Sequence, residues 1–356
     1  MRIPITGIGV IAPGAIGIEA FRALLASGAS AVADVDRWDT SGLSAHKAAL
    51  VRDFKPKDFI PVMKMRRMNA LSRLGVAAAK LAIDDCGGAL EPETGVAIGT
   101  AFGPVQTSVE YMQEYVEKGA ALAPPQLFAE SVANAPGSHI AIEWGLRGFN
   151  VTITQRESSA LAAAMYAATQ LAKGSAGAAL IGGVEEANEM LFSVLDRIGA
   201  LAHDGHPGIT LGEGGAVLVA GAGTRKPYGW LAGFGIARDT TATISNYGSD
   251  PSVIVRAMHA ALEDAGLGAI DAIEAIYVSL NGSLRGDDTE KEALLMFPRA
   301  DIVRTKHIFG EYAAGGALQI VAALVALDEG RYRNVLVNSI SAGGGIVCAV
   351  LSREAA

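Results

Sequence analysis

Few side chains in this chain could carry covalent or metal chemistry. The 356 residues include two cysteines, Cys86 and Cys348, and six histidines. Two distant thiols make neither a disulfide framework nor a cysteine-rich zinc site. The histidines show no H-x-x-x-H or H-x-H spacing, so no bound metal is expected. A glycine-rich stretch, Gly7-Ile8-Gly9-Val10-Ile11-Ala12-Pro13-Gly14, follows a strand-like run as a dinucleotide fingerprint would. Its third glycine falls two places late and Pro13 interrupts it, so it reads as a strand-to-helix turn. No cofactor is expected. The net charge, 29 − 37 = −8, argues against nucleic-acid partners and anionic membranes.

Short apolar runs ending in glycine alternate with alanine-rich helical runs, the pattern of an α/β protein. Strands are expected at Ile3–Val10, Thr94–Gly99, Val151–Thr154, Ala178–Gly182, Ala216–Ala220, Trp230–Ala237, Ala275–Leu280, Asn334–Ser339 and Ile346–Leu351. Helices are expected at Arg66–Cys86, Ser158–Lys173, Pro251–Ala265 and Gly315–Glu329. In the first of these, Met68, Leu71, Leu74, Ala78 and Leu81 share one face. Residues 221–229 read as a join, giving an N-terminal half over 1–225 and a C-terminal half over 226–356. The similar order of the halves suggests a duplication. The apolar stretch Ala317–Leu327 is interrupted by Gln319 and too short to cross a bilayer, and the N-terminus lacks a signal-like apolar region. The positive mean hydropathy then points to buried strands and a large subunit interface, in a cytoplasmic oligomer without membrane insertion.

Several segments, in order along the chain, resemble a β-ketoacyl-acyl-carrier-protein synthase. They include Ile5-Thr6-Gly7-Ile8-Gly9-Val10, Trp38-Asp39-Thr40-Ser41-Gly42, Arg66-Arg67-Met68 and Glu93-Thr94-Gly95-Val96-Ala97-Ile98-Gly99-Thr100. Gly145-Leu146-Arg147-Gly148, Leu211-Gly212-Glu213-Gly214-Gly215-Ala216 and Thr305-Lys306 ahead of Gly310 continue the match. The resemblance implies the thiolase-like fold: duplicated α/β halves in a five-layered αβαβα arrangement, forming a dimer.

A synthase of that family works with a cysteine at a strand–turn–helix elbow, which takes the acyl group as a thioester. Two histidines stabilise the enolate formed on decarboxylation. By resemblance the elbow here is Val151-Thr152-Ile153-Thr154-Gln155-Arg156-Glu157-Ser158-Ser159, which puts Glu157 at the cysteine position. Asn281, in Asn281-Gly282-Ser283, falls at the first histidine position. Glu311, in Lys306-His307-Ile308-Phe309-Gly310-Glu311, falls at the second, and His307 is four residues out of place. A carboxylate forms no thioester, and a helix N-terminus favours its ionised form. The resemblance therefore implies no catalytic residue. Arg156, Lys306 and Glu290 are left as vestigial electrostatics: Arg156 is expected to neutralise the two glutamates, and Lys306 to pair with Glu311 or Glu290.

This pattern is similar to the chain-length-factor subunits of type II polyketide and aryl-polyene systems. There an inactive ketosynthase-like chain forms a heterodimer with an active ketosynthase and shapes its acyl tunnel. Val105, Val109, Met112, Leu127 and Phe128 are implied at that interface, near the acyl pocket. The segment between Ser193 and Leu211 lacks the family's P-F-D stretch and the region 239–250 is short, which implies that acyl carrier protein docks through the partner. Three other readings stay open. One is a malonyl-carrier-protein decarboxylase making starter units, which the missing histidines disfavour. Another is a Glu157–Glu311 acid–base pair. The third is a non-catalytic homodimer that binds acyl chains. Cys86, Cys348 and His139 are expected to be structural.

Overall fold

The computed structural model describes residues 2–312 and 315–355. The N-terminal part runs β1 (Ile3–Ala12), β2 (Ala15–Ile16), α1 (Ile18–Ser27), β3 (Ala33–Asp34), β4 (Lys47–Ala48), α2 (Val62–Met65), α3 (Ala70–Cys86), β5 (Gly95–Gly99) and α4 (Val105–Lys118). It continues through α5 (Pro125–Glu130), α6 (Ala135–Trp144), β6 (Asn150–Ile153), α7 (Ser159–Ala172), β7 (Ala179–Glu185), α8 (Glu189–Arg197) and β8 (Gly214–Ala220). The remainder is β9 (Gly229–Arg238), α9 (Pro251–Asp264), β10 (Ala275–Tyr277), α10 (Leu284–Leu294), β11 (Asp301–Val303), α11 (Lys306–Phe309), α12 (Gly316–Asp328), β12 (Asn334–Ile340) and β13 (Gly345–Ser352).

Apart from the short β3–β4 pair, the strands join in one sheet of order β11-β10-β12-β13-β9-β1-β8-β7-β5-β6, with β2 paired to β1. Read outward from the central β1–β9 contact, the order β1-β8-β7-β5-β6 repeats as β9-β13-β12-β10-β11. The directions repeat too. β5 lies parallel to β6 and β7 as β10 does to β11 and β12, while β8 and β13 run antiparallel to their neighbours. The sheet folds around α7 and α12, which touch each other and pack on strands of both parts. α12 is apolar on every side and buried along almost its whole length, as a helix in a middle layer must be. α3 covers the outer face beside β1 and β8, and α9 the outer face beside β9 and β13. Helix, strands, helix pair, strands and helix make the five layers of the thiolase-like fold.

The same packing device recurs on both outer faces. A Cβ on Gly9 would lie 1.9 Å from the Ala78 carbonyl oxygen of α3, and one on Gly7 2.2 Å from that of Ala82. In the other half, a Cβ on Gly235 would lie 1.9 Å from the Ala257 oxygen of α9, and one on Gly233 2.6 Å from that of Ala261. Gly7-x-Gly9 therefore serves close helix–strand approach, made possible by alanine on the facing helix.

Among the element ends that differ from the sequence expectation, two have local reasons in side-chain hydrogen bonds. α3 begins at Ala70 rather than Arg66, because the Asn69 side chain accepts the Ser72 amide at 2.6 Å and caps the helix. β10 stops at Tyr277 rather than Leu280, because the backbone there turns to side chains. The Val278 oxygen accepts Gln319 Nε2 at 2.7 Å, and the Ser279 amide donates to Glu290 at 3.0 Å.

Gly9→Ala and Gly235→Ala are each expected to cost about 3 kcal/mol by overpacking. That is a drop of about 4 °C in a thermal circular-dichroism melt. Gly42→Ala, where a Cβ meets nothing within 4 Å, is the control and should melt within about 2 °C of the parent.

Candidate functional site

β6 runs into a single 3₁₀ turn, Arg156–Ser158, that feeds α7. Arg156 holds φ of 50°, the one left-handed non-glycine backbone among the described residues, and this sharp bend turns Glu157 inward. The end of β12 and the loop after it fasten the turn. Ser339 Oγ donates to the Glu157 carbonyl at 2.7 Å, and Ser158 Oγ lies 2.7 Å from Ser341 Oγ. The elbow of one half is thereby tied to the end of a strand in the other.

Glu157, Asn281 and Glu311 converge on one hydrogen-bonded chain. Tyr247 Oη donates to Glu157 Oε1 at 3.1 Å, and the Ala342 amide donates to Oε2 at 3.2 Å. Asn281 Nδ2 donates to Tyr247 Oη at 2.8 Å and to Glu311 Oε2 at 2.9 Å. Lys306 Nζ pairs with that same Glu311 oxygen, and both side chains are buried. Asn281 is held in turn by its own amide, which donates to Asp287 at 2.9 Å.

One electrostatic expectation is corrected and another is narrowed to a single partner. Arg156 is exposed and makes no ion pair among the described residues. Its left-handed backbone points the guanidinium outward, so it neutralises neither glutamate. Lys306 chooses Glu311. Glu290 instead takes the Ser279 amide and Asn338 Nδ2, each at 3.0 Å, and full burial lifts its carboxyl to about 6. Burial, and next the nearby Glu311 charge, hold the Glu157 carboxyl above the ordinary glutamate range. Tyr247, which sequence reasoning missed, fills the space between Glu157 and Asn281. Between Tyr247, Ser279, Asn281 and Glu290 no room remains even for a water.

The chemistry open to this site is narrow. Both cysteines are fully buried elsewhere, Cys86 in α3 and Cys348 in β13, and burial raises each thiol pKa. His307 is exposed on α11, and His139 contacts Glu130 at 2.9 Å. No group of three or more His, Cys, Asp or Glu among the described residues could hold a metal.

Residues 1–223 match the family described as Beta-ketoacyl synthase, N-terminal domain. The chain belongs to the β-ketoacyl synthase family. It is 27% identical to the 3-oxoacyl-acyl-carrier-protein synthase 2 of Vibrio harveyi, across 92% of this chain and 86% of that one. To the tetracenomycin polyketide synthase ketoacyl synthase beta subunit of Streptomyces glaucescens it is 29% identical, with 92% and 86% covered. The solved ishigamide ketosynthase/chain length factor superposes with a TM-score of 0.89 at 24% identity, covering 99% of this chain and 98% of that one, and shares the fold.

In this β-ketoacyl synthase family member, α4 and α5 present an apolar face to solvent. Met112 is 53% exposed and Phe128 58%, with the Tyr111 and Phe128 rings 5.5 Å apart. Val105, Val109 and Leu127 on the same two helices are half-buried. Among the described residues no helix is long and apolar enough to cross a membrane.

The raised Glu157 carboxyl gives a signed pH prediction. The folded protein holds this proton more tightly than the unfolded chain, so the contribution is most favourable below the ordinary glutamate value near 4.5 and is lost as pH rises through the folded value. Glu157→Gln removes the titration. The stability of the variant relative to the parent is expected to climb with pH, by at most about 1.4 kcal/mol per pH unit within that window. Urea melts from pH 4.5 to 8.5 check it, and a difference that stays flat or falls refutes the assignment.

Proposed function

We propose that this chain is a non-catalytic ketosynthase-like subunit of the chain-length-factor type, which pairs with an active ketosynthase and shapes its acyl tunnel. Glu157, Asn281 and Glu311 then stand where an active synthase of the family carries its cysteine and two histidines. The observation that carries this reading is the filled elbow. A carboxylate, a carboxamide, a tyrosine and a Lys–Glu pair are linked to one another there, with no thiol or imidazole among them.

The apolar face of α4 and α5 supports the second half of the reading. It carries Met112 and Phe128 well exposed, as an unpartnered interface would, and contiguous exposed apolar surface of this kind marks interaction sites. Val105, Val109 and Leu127 border it and would line the tunnel from this side, with carrier protein docking on the catalytic partner. The ketoacyl synthase beta subunit among its relatives agrees with a role in a two-chain synthase.

Co-expression with a ketosynthase that retains its cysteine and histidines tests the proposal. A heterodimer on gel filtration is expected, and the purified chain alone should neither decarboxylate malonyl-carrier-protein nor hydrolyse acyl thioesters. In the reconstituted pair, Met112→Ala or Phe128→Ala should shift product length, while Glu157→Ala should keep turnover within about threefold of the parent. Loss of turnover by Glu157→Ala in an intact heterodimer would revive the carboxylate-pair reading. Decarboxylation by the chain alone would instead favour starter-unit chemistry.

A further inference from the structure

Between α8 and β8 the chain forms a small hairpin that takes no part in the elbow network. The Ala202 amide donates to the Ile209 carbonyl and the Ile209 amide to the Ala200 carbonyl, each at 2.9 Å. Nearer the tip, His203 and His206 exchange both backbone hydrogen bonds, at 3.3 and 2.8 Å. Asp204 and Gly205 make the turn between them, and Gly205 takes the positive φ of 75° that so tight a turn needs. Residues directly opposite each other in a hairpin project to the same face. The imidazoles of His203 and His206 accordingly stack, with centroids 4.6 Å apart and planes 27° apart. In sequence the pair reads only as H-x-x-H, and the turn is what brings the rings together.

The ring nitrogens are not equivalent. His203 Nδ1 lies 3.2 Å from the Leu201 carbonyl. A carbonyl only accepts, so Nδ1 carries the proton, and in the neutral ring Nε2 holds the lone pair. One ring N–H on a backbone carbonyl with the other nitrogen left to donate is how metal-ligating histidines are oriented. His206 is exposed and His203 half-buried, so the pair opens to solvent. The His206 ring is free to tilt toward a shared ion, because the outer torsion of histidine is soft.

We infer that His203 and His206 together bind one divalent transition-metal ion of the class that prefers imidazole: Cu²⁺, Ni²⁺ or Zn²⁺. His203 donates through Nε2 and His206 through one ring nitrogen, while the Asp204 carboxylate in the same turn adds negative charge. Two protein donors are fewer than a closed structural site has, so water completes the shell and the ion exchanges with solvent. No redox or covalent step is involved. A Cβ on Gly282 would lie 2.1 Å from the Gly208 carbonyl oxygen, so the base of the hairpin rests on the loop that carries Asn281. The ion thus cross-links a hairpin that packs beside the elbow network.

Isothermal titration of the full chain with zinc chloride and with nickel chloride tests the inference. Magnesium chloride is the comparison, since Mg²⁺ takes oxygen donors. Saturable one-to-one binding of at least one transition ion is expected, with none of Mg²⁺. Losing only an outer-shell partner typically weakens a metal site by about 10–100-fold. Losing a ligand, in His203→Gln or His206→Gln, should therefore weaken binding by about tenfold or more. His307→Gln, which alters an exposed histidine outside the hairpin, should bind as the parent does. Should either hairpin variant fail to fold by circular dichroism, electron paramagnetic resonance of the parent with one equivalent of Cu²⁺ decides. Coupling to two imidazole nitrogens supports the pair, and coupling to one or none overturns it. Absence of saturable binding by both zinc and nickel overturns the inference, as does equal binding of Mg²⁺. So does unchanged affinity in either folded hairpin variant, or an equal loss in His307→Gln.

Discussion

A buried lysine must find a carboxylate, and in this protein that requirement organises the seam between two halves. Lys306 meets Glu311 with both side chains 3% exposed. Removing either partner of such a pair typically costs about 3–5 kcal/mol, because the survivor stays charged and dry. From that pair the hydrogen bonds run outward through Asn281 and Tyr247 to Glu157, and from the elbow through Ser158 to Ser339 at the end of β12. Each link joins segments far apart in sequence. The network therefore fixes the relative placement of the halves as well as filling the site.

The five layers permit this arrangement. The elbow enters α7 from one half, and the segments after β10 and β12 deliver Asn281 and Ala342 from the other, because α7 and α12 share the middle layer. The glycine–alanine contacts of β1 with α3 and of β9 with α9 keep the outer helices close to their strands. This leaves the sheet free to fold around the middle pair. The repeated strand order and the repeated Gly-x-Gly contact are two expressions of one packing solution used twice.

Much of this was legible in the sequence, and the illegible parts have physical causes. The apolar runs at β5, β7, β8, β12 and β13 and the alanine-rich α7 and α12 announce themselves because burial on both faces leaves no polar residue to blur the pattern. α4 and α8 are harder, since part of their apolar surface faces solvent in the isolated chain. α10, Leu-Arg-Gly-Asp-Asp-Thr-Glu-Lys-Glu-Ala-Leu, is mostly polar and gives little periodic signal. At the site, Glu157, Asn281 and Glu311 could be singled out because each stands in a local motif. Tyr247 could not, since it sits in a loop 90 residues from the carboxylate it serves.

The sequence by itself determined which groups exist at the elbow: a glutamate in Gln155-Arg156-Glu157-Ser158, with no thiol or histidine next to it in the chain. It also determined the strand and helix periodicities of an α/β fold. Only the tertiary structure decided that Lys306 takes Glu311 rather than Glu290, that Arg156 turns outward, and that Tyr247 joins Glu157 to Asn281. Those outcomes rest on contacts such as Glu157 with Ala342, 185 residues apart. Their geometry is set by how the layers stack, and no local pattern along the chain encodes it.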